Sequence, residues 1–195
     1  MTHEVTVICD GSSRLINLKR LAGAAAILIS DTHSSHKAFF NENSQKFKLV
    51  ASALGEATNQ QAEIHAAILA LKQLKVPCKV RIFTDSKYLV ETMKGNFSRR
   101  ANLDLWNELE KIASRHKVEW EWIKGHTQKT SRKDLDLPKE FYELQAIADR
   151  VANRVAEKQD FPVDLKNRSE EKVKEILGLS REVSGKFQDS TLNEK

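Results

Sequence analysis

The chain has 195 residues, of which 40% are hydrophobic and 30% are charged, a length that suits one α/β core and is too short for two well-formed domains. Lys and Arg number 32 against 27 Asp and Glu, giving a net charge of +5, a mild basic excess that weakly favours a polyanionic partner. Two cysteines exclude a disulfide framework or a thiolate zinc site, and the lack of a long apolar run or a secretory N-terminal pattern predicts a soluble cytoplasmic protein.

The first third of the chain predicts an antiparallel meander of three strands. Residues 5–10 form a β-branched run that ends on the carboxylate of Asp10, and Gly11 and Ser12 are typical of a turn. A loop rich in Leu, Lys and Arg is expected next, followed by strands over residues 23–30 and 47–54.

A helix with a clear start is predicted after this meander. Thr58, followed three residues later by Gln61, forms a capping box, in which the two side chains satisfy backbone N–H groups of the first turn. The helix is expected to end at residues 76–77 because Pro77 disfavours helical geometry in the residue before it. Its predicted buried stripe is Ile64, Ala67, Ile68 and Leu71.

The second half of the chain predicts alternating strands and helices. Residues 80–85 repeat the first strand's design, an apolar run that ends on Asp85. The remaining predicted elements are helices over residues 86–94, 104–116 and 140–158 and a strand over residues 118–123, with a long polar loop between this strand and the last helix. Residues 1–158 are therefore expected to form the domain, and residues 159–195 a polar tail, either a docked short helix near 169–179 or a flexible arm.

Two of the predicted strands end on carboxylates, and the order of the predicted elements makes these two strands candidates for parallel neighbours. A single helix between the third and fourth strands requires a crossover connection, and ligands bind at the carboxyl ends of parallel strands. If the first and fourth strands are adjacent, Asp10 and Asp85 meet at one point. The alternative is that each Asp only begins a turn or caps a helix.

Two further acids border the apolar stripes of predicted helices, Glu63 beside Ile64 and Asp149 beside Ala148. Each is either an ordinary solvated residue or a partner of the first two. At an effective dielectric constant near 20, two like charges ~4 Å apart repel by roughly 4 kcal/mol, so four converging carboxylates require cations. Oxygen ligands without His or Cys suit Mg²⁺ or Mn²⁺.

Five motifs then resemble, in order, those of the type 1 ribonuclease H family: CDGS at 9–12, TNQQAEIHAA at 58–67, FTDS at 83–86, WEWIKGH at 120–126 and ADR at 148–150. The resemblance spans about residues 4–158. It implies an α/β ribonuclease H-like fold, a five-stranded mixed sheet flanked by helices. It also implies endonucleolytic cleavage of the RNA strand of RNA/DNA hybrids, giving 5′-phosphate and 3′-hydroxyl products, and we expect a monomer.

The resemblance assigns roles to residues at matching positions. Asp10, Glu63, Asp85 and Asp149 match the family's ligands for two Mg²⁺ ions, for which Mn²⁺ substitutes, and His126 matches a loop histidine that assists proton transfer or product release. Three positions match substrate contacts at the start of the helix: Asn59 and Gln60 at the hybrid's minor groove, where the 2′-hydroxyl distinguishes RNA from DNA, and Thr58 at a DNA phosphate. Gly11 and Ser12 would let the backbone approach the RNA strand.

Departures from the family pattern concern substrate handling. Arg14, Lys19 and Arg20 replace a glycine-rich turn, Glu56 stands where relatives often have Arg, and Ala146 stands where they often have an acid. Many relatives insert a basic protrusion after the helix that follows Asp85, and here it is reduced to residues 94–102. Fewer contacts with phosphate weaken nucleic-acid binding. The alternative function is therefore a nucleic-acid-binding module on the same fold with weak or no catalysis.

Overall fold

The computed structural model describes residues 3–31, 45–125 and 137–160. Over these residues the chain forms five strands and four helices. In chain order they are β1 (His3–Ile16), β2 (Lys19–Asp31), β3 (Gln45–Glu56), α1 (Asn59–Leu71), β4 (Cys78–Thr84), α2 (Lys87–Met93), α3 (Leu103–Ala113), β5 (Lys117–Trp122) and α4 (Lys139–Lys158).

The five strands form one mixed sheet in the order β3-β2-β1-β4-β5. The first three strands pair antiparallel, whereas β4 pairs parallel with both β1 and β5. The predicted meander, the crossover and the five-stranded mixed sheet are therefore confirmed. Strand β1 is central, and its two neighbours run in opposite directions.

Helices cover both faces of this sheet. Alternate side chains of each strand point to opposite faces, so each strand contributes side chains to the core on both sides. Val7 and Cys9 of β1 pack on the side of α1, α2 and α3, whereas Ile8 packs on the side of α4. The predicted inward stripe of α4 is buried as expected: Phe141, Leu144, Ala148, Val151 and Val155. No helix in the described part of the chain is long and apolar enough to cross a membrane.

The predicted loop after the first strand is wrong. Strand β1 continues to Ile16 and pairs with β2 from Val5 to Ile16, so Arg14, Lys19 and Arg20 lie in strands. A two-residue connection, Asn17-Leu18, joins the strands with positive φ angles of 48° and 64°, as hairpin turns of type I′ require.

Helix α1 begins as predicted and ends early. Both capping-box hydrogen bonds between Thr58 and Gln61 are present, but the helix ends at Leu71, before the expected end at residues 76–77. The N–H groups of Gln73 and Leu74 donate to carbonyls three residues back, which is the hydrogen-bond pattern of a 3₁₀ turn at a helix end. The polar tail, including residues 169–179, lies outside the described residues.

Candidate active site

The parallel pairing of β1 with β4 brings two carboxylates together. The last pair in the register is Ile8 with Phe83. Two residues beyond each of them are Asp10, which still lies in β1, and Asp85, which directly follows the end of β4. Strand β1 continues past Asp10 with β2 as its partner, so the position of Asp10 is not a strand end. Asp10 instead lies two residues beyond the last residue of β1 that pairs with β4, and this brings its side chain beside that of Asp85.

The third carboxylate, Glu63, comes from the second turn of α1. Gly11 N–H donates to Glu63 Oε2 at 3.2 Å. This contact depends on the absence of a side chain, because a Cβ at Gly11 would collide with the backbone of Ala62 and Glu63. Gly11 therefore lets α1 pass directly against β1, which places Glu63 beside Asp10.

Asp10, Glu63 and Asp85 form a compact carboxylate cluster in which one ligand oxygen from each lies within 4.8 Å of the others. Asp10 is 4% exposed and Glu63 6% exposed, whereas Asp85 is partly buried. These oxygen donors, without histidine or cysteine, fit a hard divalent cation.

The electrostatics of the cluster agree with that fit. Burial raises the pKa of Asp10 well above its ordinary value, and the charges of Glu63, Asp85 and Asp149 raise it further. The pKa of Glu63 is also raised, by burial first and then by the charges of Asp85 and Asp149, while the Gly11 N–H opposes the rise. The cluster therefore favours protons or cations over three free negative charges.

Asp149 lies on α4 at the edge of the cluster. Its charge raises the pKa of both Asp10 and Glu63, although it is not one of the three residues whose ligand atoms lie within 4.8 Å of one another. Asn153 Nδ2 donates to Asp149 Oδ1 at 2.8 Å. The structure thus brings three of the four predicted carboxylates into contact and places the fourth at their border.

Gln145 contacts the cluster and was missed by the sequence reasoning. It is 4% exposed, and its Nε2 donates to Asp10 Oδ1 at 3.4 Å. Its Oε1 is buried without a hydrogen-bond partner among the described residues. Gln145 precedes Asp149 by four residues and so lies on the same face of the helix, a spacing that could have identified it.

Two residues of the WEWIKGH motif support Asp85 and were also missed. Trp122 Nε1 donates to the carbonyl oxygen of Asp85 at 3.1 Å. A Cβ at Gly125 would collide with Asp85 Oδ2, so glycine at this position leaves room for the carboxylate. His126, the next residue, lies outside the described residues.

The predicted substrate-contacting residues surround the cluster on β1 and at the start of α1. Asn59 and Gln60 are exposed, and Asn59 Oδ1 accepts from Ser13 N–H at 3.1 Å. Thr58 is exposed and caps α1. Ser12 is 8% exposed, and its Oγ donates to Asn153 Oδ1 at 2.6 Å, so its hydroxyl is already engaged within the protein.

Several cations that could contact phosphate pair with acids instead. Lys19 Nζ lies 3.0 Å from a carboxylate oxygen of Glu56. In the shortened protrusion, Arg99 donates to the carboxylate of Glu110 at 2.8 and 3.4 Å.

Comparisons with known proteins agree with this fold. The RNase H family model matches residues 2–157. The chain is 38% identical over 95 residues to a ribonuclease H of Stutzerimonas stutzeri (strain A1501), covering 42% of this chain and 63% of that protein. It is 34% identical over 132 residues to a ribonuclease H of Helicobacter pylori (strain HPAG1), covering 64% of this chain and 82% of that protein. The first match therefore spans slightly less than two thirds of the relative's length.

Among solved structures, LC9-RNase H1, a type 1 RNase H with the type 2 active-site motif, superposes with a TM-score of 0.63 at 20% sequence identity. The match covers 82% of this chain and 75% of that chain. At this identity the superposition shows a shared fold and nothing finer. Because the family model covers most of the chain, the protein belongs to the RNase H family.

Proposed function

We propose that this chain is a metal-dependent endoribonuclease that hydrolyses the RNA strand of RNA/DNA hybrids, giving 5′-phosphate and 3′-hydroxyl products. The observation that supports it most directly is the cluster of Asp10, Glu63 and Asp85, whose ligand oxygens lie within 4.8 Å of one another. A buried group of like charges is costly for folding, so its presence favours a functional role. Membership of the RNase H family supplies the reaction class.

The cofactor proposed is a pair of Mg²⁺ ions, with Mn²⁺ able to substitute. Asp10, Glu63 and Asp85 would hold them together with Asp149. The chemistry supplied by divalent cations bound there is activation of water and stabilisation of charge on the transferring phosphate. The all-oxygen donor set and the raised pKa of both Asp10 and Glu63 support this assignment.

The chain's own groups orient the site and the substrate. Gly11 N–H fixes one oxygen of Glu63, and the Gln145 amide contacts Asp10. Asn59 and Gln60 are exposed hydrogen-bonding groups at the start of α1, suited to the minor groove of a hybrid with its 2′-hydroxyls. Since the Ser12 hydroxyl is engaged by Asn153, Ser12 would meet the RNA through its backbone, as would Gly11.

Further parts of the proposal follow from sequence patterns. Residues 1–158 would form the catalytic domain, with His126 assisting proton transfer or product release and Thr58 contacting a DNA phosphate. We also propose a monomer acting in the cytoplasm. The two cysteines, Cys9 and Cys78, are buried and free, which suits a reducing compartment.

The test is cleavage of an RNA/DNA hybrid labelled on the RNA strand, at low salt with Mg²⁺ or Mn²⁺, comparing the parent chain with Asp85→Asn. Removing one metal-facing charge should lower the cleavage rate by at least about a hundredfold. Asp104→Asn, a change to an exposed carboxylate of α3, is the matched control and should cleave like the parent chain. Analysis of the product ends then tests for 5′-phosphates.

A parent chain that cuts no faster than Asp85→Asn with either metal would contradict the enzyme proposal. Hybrid binding without cutting would instead support the alternative, a nucleic-acid-binding module on this fold. Hybrid binding is worth measuring beside cutting because Lys19 pairs with Glu56 and Arg99 pairs with Glu110. Each paired cation is less available to the phosphates of the hybrid.

A further inference from the structure

We propose that Asn153 is a positioning residue for Asp149, and that Ser12 and Arg14 of β1 hold Asn153 in the orientation this requires. The inference rests on the proposed function, because Asp149 matters as a metal ligand only if the cluster binds metal. It goes further by assigning a role to three polar residues outside the carboxylates.

Asn153 and Asp149 lie one turn apart on α4, so their side chains share a face of the helix. Asn153 Nδ2 donates to Asp149 Oδ1 at 2.8 Å and to the Asp149 carbonyl oxygen at 2.9 Å. A hydrogen bond to an ionised carboxylate is stronger than one between neutral groups. The contact therefore restricts the rotation of the Asp149 side chain and leaves its second oxygen for another partner.

The opposite end of the Asn153 amide is held by β1. Asn153 Oδ1 accepts from Ser12 Oγ at 2.6 Å and from Arg14 Nε at 3.0 Å. A guanidinium group can only donate, so the contact with Arg14 requires the amide oxygen to face β1. The amide nitrogen must then face Asp149. The contact with Arg14 thus determines which end of the Asn153 amide faces each way, a choice that the amide group does not determine by itself.

This arrangement links two carboxylates that come from different elements. Ser12 lies two residues after Asp10 on β1 and so points to the same side of the sheet. Strand β1 thus contains Asp10 and, through Ser12 and Asn153, also orients Asp149 on α4. Arg14 reaches Glu157 on the next turn of α4 as well, at 3.4 Å, which anchors its guanidinium beside Asn153.

The alternative is that Asn153 only fastens α4 to β1. A fastening residue would change the stability of the fold without changing its affinity for metal, whereas residues that orient metal ligands typically alter metal affinity or activity by about 10- to 100-fold. Metal binding by the free protein therefore separates the two roles.

The first experiment is calorimetric titration of the full chain, without nucleic acid, with Mg²⁺ and with Mn²⁺. Asn153→Ala should bind each metal about tenfold more weakly, and Arg14→Leu should weaken binding less, since the amide remains. Arg154→Ala, a change to the exposed neighbour on α4, is the matched control and should bind like the parent chain. In cleavage assays the Mg²⁺ concentration for half-maximal rate should rise for Asn153→Ala, with KM for the hybrid unchanged.

The second measurement needs no variant of Asn153. In ¹⁵N-labelled parent chain, the assigned side-chain amide signals of Asn153 should shift with added Mg²⁺ and saturate with the calorimetric midpoint. Signals that do not move, or an Asn153→Ala chain that binds metal like the parent, would overturn the inference. A parent chain that binds neither metal would overturn the proposed function itself, which is a distinguishable result.

Discussion

Gly11 joins the sheet, a helix and the carboxylate cluster at a single residue. The backbone of α1 at Ala62 and Glu63 occupies the space where any other residue would place its Cβ, and the Gly11 N–H binds Glu63. The requirement for glycine therefore comes from the close approach of two backbones and not from an unusual φ angle.

Gly11→Ala should lower the free energy of unfolding by more than about 3 kcal/mol, because backbone on both sides of the clash must shift. Urea denaturation followed by circular dichroism measures the loss. Gly95→Ala is the matched control: its φ is positive, but its Cβ would meet nothing within 4 Å, so the cost should be only the roughly 1 to 2 kcal/mol of a left-handed backbone conformation. Equal losses for the two variants would contradict the explanation.

Single residues of the site also show how much of it could be predicted from the sequence. Asp10 and Asp85 follow apolar runs, and Glu63 and Asp149 border helical stripes, so their positions could be predicted from local patterns. Gln145 and the residues that hold Asn153 make long-range contacts, between α4 and β1, that no local pattern shows. Only the spacing of four residues on either side of Asp149 could have indicated Gln145 and Asn153.

Among the elements, the hairpin of β1 and β2 shows where local propensity fails. The Gly11-Ser12-Ser13 segment has the composition of a turn, yet each of its residues pairs with β2. Pairing along twelve residues outweighs the preference of three, since strand formation depends strongly on tertiary context. The real turn, Asn17-Leu18, was hidden because leucine is unusual at positive φ.

Helix α1 shows the opposite case, in which a local motif was sufficient. Thr58 Oγ1 accepts from Gln61 N–H at 3.2 Å, and Gln61 Oε1 accepts from Thr58 N–H at 2.8 Å. Both partners are three residues apart, so the sequence contained the whole interaction. The position of this first turn sets the position of Glu63 on the second.

Thr58→Ala should destabilise the fold by about 1 kcal/mol, the usual cost of losing an N-cap side chain. For a chain of this size that corresponds to a fall in melting temperature of about 2 to 4 °C. Thr58→Ser keeps the hydroxyl and should retain most of the stability. If differential scanning calorimetry gave the same loss for both variants, the cap would not be the cause.

For the whole molecule, net charge is a poor guide to the surface that nucleic acid would meet. The +5 total includes cations that pair with acids across elements, among them Arg14 with Glu157, Lys19 with Glu56 and Arg99 with Glu110. Exposed pairs of this kind contribute little to stability. Their larger effect is to reduce the charge available to phosphates, which sequence composition alone does not show.

The carboxylate cluster also links the stability of the whole fold to pH. Because the pKa values of Asp10 and Glu63 are raised in the folded chain, mainly by burial, the folded state binds more protons than the unfolded state at intermediate pH. The contribution of these groups to stability is therefore fully present below the ordinary carboxyl pKa and is lost as pH rises through the raised values. Burial lowers the pKa of His65 and His116, which has the opposite effect on the slope.

The contribution of the cluster is therefore isolated by comparing the parent chain with Asp10→Asn in the presence of EDTA. Between about pH 5 and about pH 8 the melting temperature of the parent should fall relative to that of Asp10→Asn, because only the parent must bury the Asp10 charge. At the higher pH, Asp10→Asn should be more stable by at least about 2 °C, and added Mg²⁺ should stabilise the parent more than the variant. Asp104→Asn should follow the parent at both pH values. Parallel curves for the parent and Asp10→Asn would show that the cluster does not oppose folding when metal is removed.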